Sequence, residues 1–508
     1  YEFEMYQKYL DGITLEEVNA FAGKWITDGE NCVVLITAPE KSTTKMPSDE
    51  QIRSIMKGMR QLQLTPYIDK VVNKPLIEGN LAGGKIESTK TIEPFGITEW
   101  KLSNGIRVAL KPTDFKNDEI LFTSYSWGGW SLYPEKEYYS AASCDEIVDE
   151  SGVGEFDATA LEKLLSGKIV GGSPYVSELS QGFNGSCAPK DVETLMQLIY
   201  KYFTDPREDK DAFQSYIETR KGFLQNKNSD PQSIFRDTIA YVMSGYNYRS
   251  RPMTVETLNE ISLSRSLAIY KERFSDASGF TFVFVGNFKL DEMKVLCEKY
   301  LGSLPALKKG ETWKDLGMRS PKGKVEKIVK KGVEPKSSVM LRYNMPFEYT
   351  RQHRNEVNAL VKLVSIRLRE VLREDKSGVY GVGCNASPKH YPAEGLEVTI
   401  SFSCSPSNVD MLIKAAEDVL AEVKSKDCDE KNLTKIKETA LRERETGLQE
   451  NQFWLNTISS NYQNNEDLTE IKGYSEWVNK LSGADLKAFA NKYLQTANAA
   501  KFILSPEK

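Results

Sequence analysis

Ile13-Thr14-Leu15-Glu16-Glu17-Val18-Asn19-Ala20-Phe21-Ala22-Gly23-Lys24-Trp25, near the start of the chain, is echoed near its end by Leu481-Ser482-Gly483-Ala484-Asp485-Leu486-Lys487-Ala488-Phe489-Ala490-Asn491-Lys492-Tyr493. In both, a hydroxyl residue precedes apolar positions at helical spacing, so Thr14 and Ser482 are expected N-caps. Thr14 with Glu17 has capping-box spacing. The first copy leads into the apolar run Cys32 to Ile36 and ends at Pro39-Glu40-Lys41. The last leads into Lys501 to Leu504 and ends at Pro506-Glu507-Lys508. A weaker copy runs from Ile261 through Phe274 into Phe280 to Val285. One module, a capped helix and then a short strand, is used three times.

A second repeat lies upstream of the last two copies. Ser186-Cys187-Ala188-Pro189-Lys190-Asp191-Val192 resembles Ser403-Cys404-Ser405-Pro406-Ser407-Asn408-Val409, a strand running into proline and then a helix. Further helical patterns follow each, at about 211–225 and 232–244 and at about 429–448 and 451–463. The expected fold class is α+β, with two tandem domains, each an antiparallel-rich sheet packed with helices. Residues 91–305 are the first and 306–508 the second. Residues 1–41 read as the helix-strand remnant of a preceding domain, and 42–90 as a linker with a helix, ending in the Gly- and Lys-rich stretch 79–90. Its Gly83-Gly84-Lys85 lacks the spacing of a phosphate loop. The first domain opens with a hairpin signal, Trp100 to Leu110, alternating about Asn104-Gly105, which predicts a type I′ turn. Leu121 to Trp127 and Ser338 to Tyr343 read as strands. Val357, Leu360, Val361, Val364, Leu368, Val371 and Leu372 mark one face of a long helix.

Composition narrows the function. The 508 residues carry 67 Lys+Arg and 72 Asp+Glu, a net charge of −5, with 40% hydrophobic and 27% charged residues. That is globular composition with material for more than one core, and it excludes a basic nucleic-acid binder or a disordered chain. No basic-aromatic array is present, and no apolar run approaches the roughly 18 residues of a transmembrane helix. Two histidines, His353 and His390, stand far apart in the sequence, so a histidine-built zinc site is nearly excluded. Both read as surface residues, His353 at a polar helix start and His390 in a loop. The seven cysteines (32, 144, 187, 297, 384, 404 and 428) form no Cys-x-x-Cys pair and read as small buried hydrophobes. The chain starts at Tyr1 without a charged-then-apolar leader pattern, which suggests a piece of something longer.

Tandem α+β domains of about 200 residues, each closing in helix-strand, resemble the pitrilysin/insulinase family of zinc peptidases. The resemblance covers essentially the whole chain. It implies a clam shell of four such domains enclosing a peptide, with this chain as the C-terminal half: the tail of the second domain, then the third and fourth. Family catalytic domains carry His-x-x-Glu-His on a helix. At the matching place this chain has Ser143-Cys144-Asp145-Glu146-Ile147. The glutamate survives, while Ser143 and Ile147 replace the histidines, so this domain is expected to hold no metal. Asp145, Glu146, Asp149 and Glu150 read as a solvated acidic face rather than a calcium site. The family also has an Arg and a Tyr seven residues apart in a late domain, and Arg373 and Tyr380 match them in a helix–Gly378–strand context. The resemblance gives Tyr380 a contact to the oxyanion and Arg373 a contact to substrate, both acting on a zinc site in the other half.

The implied function is the non-zinc half of a zinc metalloendopeptidase. It has no cofactor of its own, zinc being expected in the missing N-terminal half. That half, or a partner subunit, and a peptide are its partners, with no nucleic acid and no membrane span. Whether this chain alone is an enzyme is left open. A bacterial periplasm or cell envelope is favoured over cytoplasm. The alternative is a non-catalytic, peptidase-like scaffold or peptide-binding subunit.

Overall fold

The structure, a computed structural model, describes residues 1–25, 32–38, 45–59, 61–63, 65, 74–376 and 378–507. It divides into two compact units, Tyr1–Asp69 and Lys70–Lys508. The first holds α1 (Glu2–Tyr9), α2 (Leu15–Trp25) and α3 (Asp49–Met59). The capping box of α2 is present: Thr14 N–H donates to Glu17 Oε2 at 3.0 Å, and Glu17 N–H to Thr14 Oγ1 at 3.2 Å. The run Cys32 to Ile36, expected to be a strand, is irregular. No strand pairs with it among the described residues, and an apolar run becomes a strand only with a ladder partner. Pro39, Glu40, Lys41 and Lys508 lie outside the described residues.

The second unit begins with β1 (Ile86–Ile92), β2 (Ile97–Leu102), β3 (Arg107–Pro112) and β4 (Ile120–Trp127). Then come α4 (Tyr138–Ala142), α5 (Cys144–Ser151), α6 (Ala158–Leu165), β5 (Val170–Val176) and β6 (Ser180–Cys187). α7 (Val192–Thr204), α8 (Lys210–Lys227), α9 (Pro231–Met243), α10 (Leu263–Phe274), β7 (Thr281–Gly286) and α11 (Leu290–Lys299) follow. The rest comprises β8 (Lys324–Lys330), β9 (Ser337–Met345), α12 (Arg351–Leu368), β10 (Val379–Lys389), β11 (Gly395–Cys404) and α13 (Val409–Ser425). It closes with α14 (Glu430–Gly447), α15 (Asn451–Asn464), α16 (Tyr474–Lys480), α17 (Gly483–Tyr493) and β12 (Ala499–Ser505).

Two sheets result, ordered β1-β2-β3-β7-β4-β6-β5 and β10-β11-β9-β12-β8. From β3 the first reads β3-β7-β4-β6-β5, and from β8 the second reads β8-β12-β9-β11-β10. In each the leading pair is parallel and the next three pairs are antiparallel. The duplication inferred from sequence is thus written in the strand order. The first sheet has an addition: β1, from the end of the segment read as linker (42–90), pairs antiparallel with β2. Gly84 N–H, donating to Glu298 O at 2.7 Å, ties its approach to the domain.

The Asn104-Gly105 turn differs from expectation. Leu102 N–H donates to Ile106 O at 2.9 Å, leaving a three-residue loop, 103–105. Gly105 alone of these takes a positive φ, +95°, whereas a type I′ turn needs two. Asn104 is held from elsewhere, its side-chain amide donating to Leu301 O at 2.8 Å and Leu304 O at 3.3 Å. Tertiary contact therefore chooses a bulged turn.

One face of each sheet packs on its own domain's helices. Phe282 and Phe284 of β7 meet Cys144, Leu195, Ile199, Tyr270 and Phe274. Val339, Leu341 and Ile400 meet Leu360, Val364, Leu412 and Leu486. The opposite faces exchange helices between the domains. Trp454, Leu455 and Ile458 of α15 cover Ile97, Ala109, Val283 and Val285 of the first sheet. Phe235, Ile239 and Val242 of α9 cover Ala500, Phe502 and Leu504 of the second. Each large side chain buried this way contributes roughly 1.5–3 kcal/mol, so each domain completes the other.

Candidate functional site

The segment Ser143 to Ile147, expected from the sequence to be a degenerate motif, lies at the start of α5. Ser143 precedes the helix and Ile147 stands one turn on, both buried. Ile147 packs in an apolar cluster with Tyr139, Tyr216, Leu224, Leu258 and Ile261. Glu146 is exposed but engaged: Tyr216 donates its hydroxyl hydrogen to Glu146 Oε2 at 2.8 Å, and the Arg220 guanidinium meets the same oxygen. Tyr216 and Arg220 share one face of α8. Burial pushes the Tyr216 hydroxyl up to about 12, so it remains a donor at neutral pH. Burial also pushes the Cys144 thiol up, so no thiolate forms beside it.

These groups do not suit zinc. Ile147 offers no lone pair, and a guanidinium already neutralises the glutamate oxygen a cation would need. Among the described residues no three His, Cys, Asp or Glu side chains converge as a metal requires. The acidic face itself is divided. Glu146 and Glu150 are exposed, but Asp149 accepts from the Tyr202 hydroxyl at 2.5 Å, and Asp145 Oδ2 accepts from Val176 N–H at 2.9 Å. Burial pushes the Asp145 carboxyl up to about 6, and its Oδ1 is buried without a partner among the described residues. The expected solvated face is therefore solvated on one side only, because α5 lies against β5 and α7.

The Arg373–Tyr380 segment is in the second domain. After α12 the helix widens into a π-helical stretch, Arg369–Asp375, that carries Arg373 exposed to solvent. Gly378 N–H then donates to Leu372 O at 3.1 Å as the chain reverses. A Cβ at Gly378 would stand 2.7 Å from Leu412 Cδ2, which is why glycine occupies this point. The register of β10 against β11 shifts between Val379 and Val382, so Tyr380 falls in a bulge, 95% exposed. Neither Arg373 nor Tyr380 has a hydrogen-bond or ion-pair partner among the described residues, and Ser377 between them lies outside those residues. Tyr380 borders a groove of about 1050 Å³ between α9 and the second sheet, which Gln232, Arg236, Lys336 and Ser403 also line. Arg373 does not line it. The structure thus brings Tyr216 and Arg220 to Glu146, and it sets Tyr380 apart from that cluster, in the other domain.

The histidines are less superficial than expected. His390 stacks between Tyr349 (4.7 Å) and Tyr391 (4.1 Å), and Tyr391 in turn meets Trp127 (5.0 Å) and Trp313 (5.7 Å). Trp127 ends β4, so this ladder joins the two domains. His353 packs on Phe347, its Nδ1 3.0 Å from Glu348 O.

Residues 260–440 match the family model described as the peptidase M16 inactive domain. Across that stretch the chain is similar to M16 peptidases. The chain is 24% identical to a zinc protease PQQL-like protein of Arabidopsis thaliana, over 91% of itself and 47% of that protein. It is 24% identical to a probable zinc protease PqqL of Haemophilus influenzae, over 99% of itself and 54% of that protein. It spans about half the length of these curated relatives. The crystal structure of the periplasmic protease PqqL from Escherichia coli superposes with a TM-score of 0.75 at 20% identity, over 91% of this chain and 51% of that one. The ferredoxin protease FusC in complex with Arabidopsis ferredoxin gives a TM-score of 0.76 at 18% identity, over 92% of this chain and 51% of that one. The M16 half-clamshell is therefore the fold of this chain.

Proposed function

We propose that this chain is the non-zinc half of a zinc metalloendopeptidase, enclosing peptides together with an N-terminal half or partner subunit that carries the zinc. The observation that carries the reading is Tyr380, an unpartnered, almost fully exposed tyrosine held on a bulge at the border of a large groove. A side chain kept there adds nothing to packing, but its hydroxyl can donate to a developing oxyanion, while the Arg373 fork can hold a peptide carbonyl. In this reading Ser143, Glu146 and Ile147 are the remains of a metal motif turned into a structural contact. The names of the periplasmic relatives support a periplasm or envelope location. No helix among the described residues is long and apolar enough to cross a membrane.

The test is reconstitution. The chain alone should leave an unstructured peptide intact, and adding the zinc-bearing half should produce cleavage. Tyr380→Phe should then lower kcat by about 10²-fold, the usual loss for one oxyanion donor. Full cleavage with Tyr380→Phe would overturn the assignment. A peptide bound but never cleaved with any partner half would favour the scaffold reading, which the engaged Glu146 also suits.

A further inference from the structure

The exchange of helices creates two grooves at equivalent places in the repeat. The groove beside Tyr380 lies between α9 and the second sheet. Its counterpart, about 390 Å³, lies between α15 and the first sheet. The wall residues correspond along the sequence: Gln232 with Gln452, Phe235 with Leu455, Arg236 with Asn456, Ile239 with Ser459. The floors correspond as well. Thr123 and Asn184, opposite each other on β4 and β6, stand where Met340 and Ser401 stand on β9 and β11.

The chemistry of the two has diverged. Arg236 and Lys336 line the groove beside Tyr380, whereas no charged side chain among the described residues lines its counterpart. The counterpart presents amides and hydroxyls over Leu121 and Leu455. These amides are partly spent and directionally fixed. Thr123 Oγ1 donates to Asn184 Oδ1 at 2.7 Å, which leaves the Asn184 NH₂ to donate into the groove. Gln452 Nε2 donates to Asn456 Oδ1 at 2.9 Å, which leaves one acceptor, Gln452 Oε1, beside one donor, the Asn456 NH₂. An adjacent acceptor and donor are the complement of one residue of an extended segment, whose N–H and C=O point to the same side.

We infer that the groove between α15 and the first sheet is a second peptide-binding site, which grips an extended segment by its backbone without regard to side-chain charge. Gln452 Oε1 and the Asn456 NH₂ pair with the N–H and C=O of one extended residue. The Asn184 NH₂ takes a neighbouring carbonyl, and Leu121 with Leu455 receives an apolar side chain. The choice of a peptide as ligand rests on the proposed function, while the site itself rests on the residues above.

Fluorescence anisotropy tests this on the 508-residue chain, with a fluorescein-labelled unstructured peptide of Ala, Ser and Leu as the probe. The Gln452→Ala/Asn456→Ala double variant should bind about tenfold more weakly, the loss of two ordinary hydrogen bonds. Both side chains are exposed, so its melting temperature should match that of the parent chain. A probe of the same sequence N-methylated at every amide should not bind, and exchanging one Ser for Glu or Lys should change affinity little. Unchanged affinity in the double variant, equal binding of the N-methylated probe, or no binding by the parent chain would each overturn the inference. None of these touches the Tyr380→Phe reconstitution, on which the proposed function stands separately.

Discussion

Tyr216 on α8 donates to Glu146 Oε2 on α5 across 2.8 Å, spanning seventy positions of sequence to occupy a carboxylate on the exposed side of that helix. With Arg220 on the same oxygen, and Ile147 pressed into the apolar cluster beneath, this segment braces two helices.

Ile147→His should therefore damage the fold rather than rebuild a metal site. An imidazole replacing a side chain that is 2% exposed loses apolar burial and leaves a polar group in the cluster. The expected cost is about 2–4 kcal/mol. Chemical denaturation measures it, and added zinc should not restore it.

Arg373→Ala and Tyr380→Phe should behave in the opposite way. Both side chains are exposed and unpartnered among the described residues, so unfolding free energies should stay within about 0.5 kcal/mol of the parent. Urea titration of each variant checks this. A large loss would mean that the pair is structural.

Asp145 should impose a pH dependence. Burial holds its folded carboxyl near 6, against an ordinary value of 3.8. A raised folded pKa means that the native state keeps a proton the unfolded chain releases. Its contribution to stability is whole below about pH 4 and is lost as pH rises through about 6. Asp145→Asn abolishes that dependence, so the variant should gain on the parent by up to about 2–3 kcal/mol between pH 4 and pH 7. Denaturation at a series of pH values provides the comparison.

Trp454→Ala should unsettle the domain in which it does not lie. Its ring packs on the first sheet, 5.3 Å from Phe95 and 4.2 Å beneath the Lys111 ammonium, while its chain belongs to the second domain. A cost of about 3–5 kcal/mol is expected. Calorimetry should show both domains of Lys70–Lys508 melting in one transition, in the parent and the variant alike.

Much of this architecture was legible because it is local and repeated. Thr14, Ser262 and Ser482 cap their helices from within four residues, and the helices read at 232–244 and 451–463 lie at Pro231–Met243 and Asn451–Asn464. What escaped is non-local. Nothing in the apolar spacing of Phe235 and Ile239 says that they face the other domain's sheet, since an amphipathic helix looks the same whichever sheet it covers. Tyr216 and Arg220 gave a weak signal, being two polar residues one turn apart on a predicted helix, but their partner is distant in sequence. The Asn104-Gly105 dipeptide does not settle its own turn, because it suits two hairpin types, and Leu301 and Leu304 decide between them.

The exchanged helices also order events in time. On the ribosome the strands of the first sheet, complete at Gly286, emerge well before residues 451–471, so Ile97, Ala109, Val283 and Val285 wait uncovered while most of the second domain is synthesised. A nascent chain of this design exposes an apolar sheet face until α15 has been made, an interval in which that surface is open to aggregation.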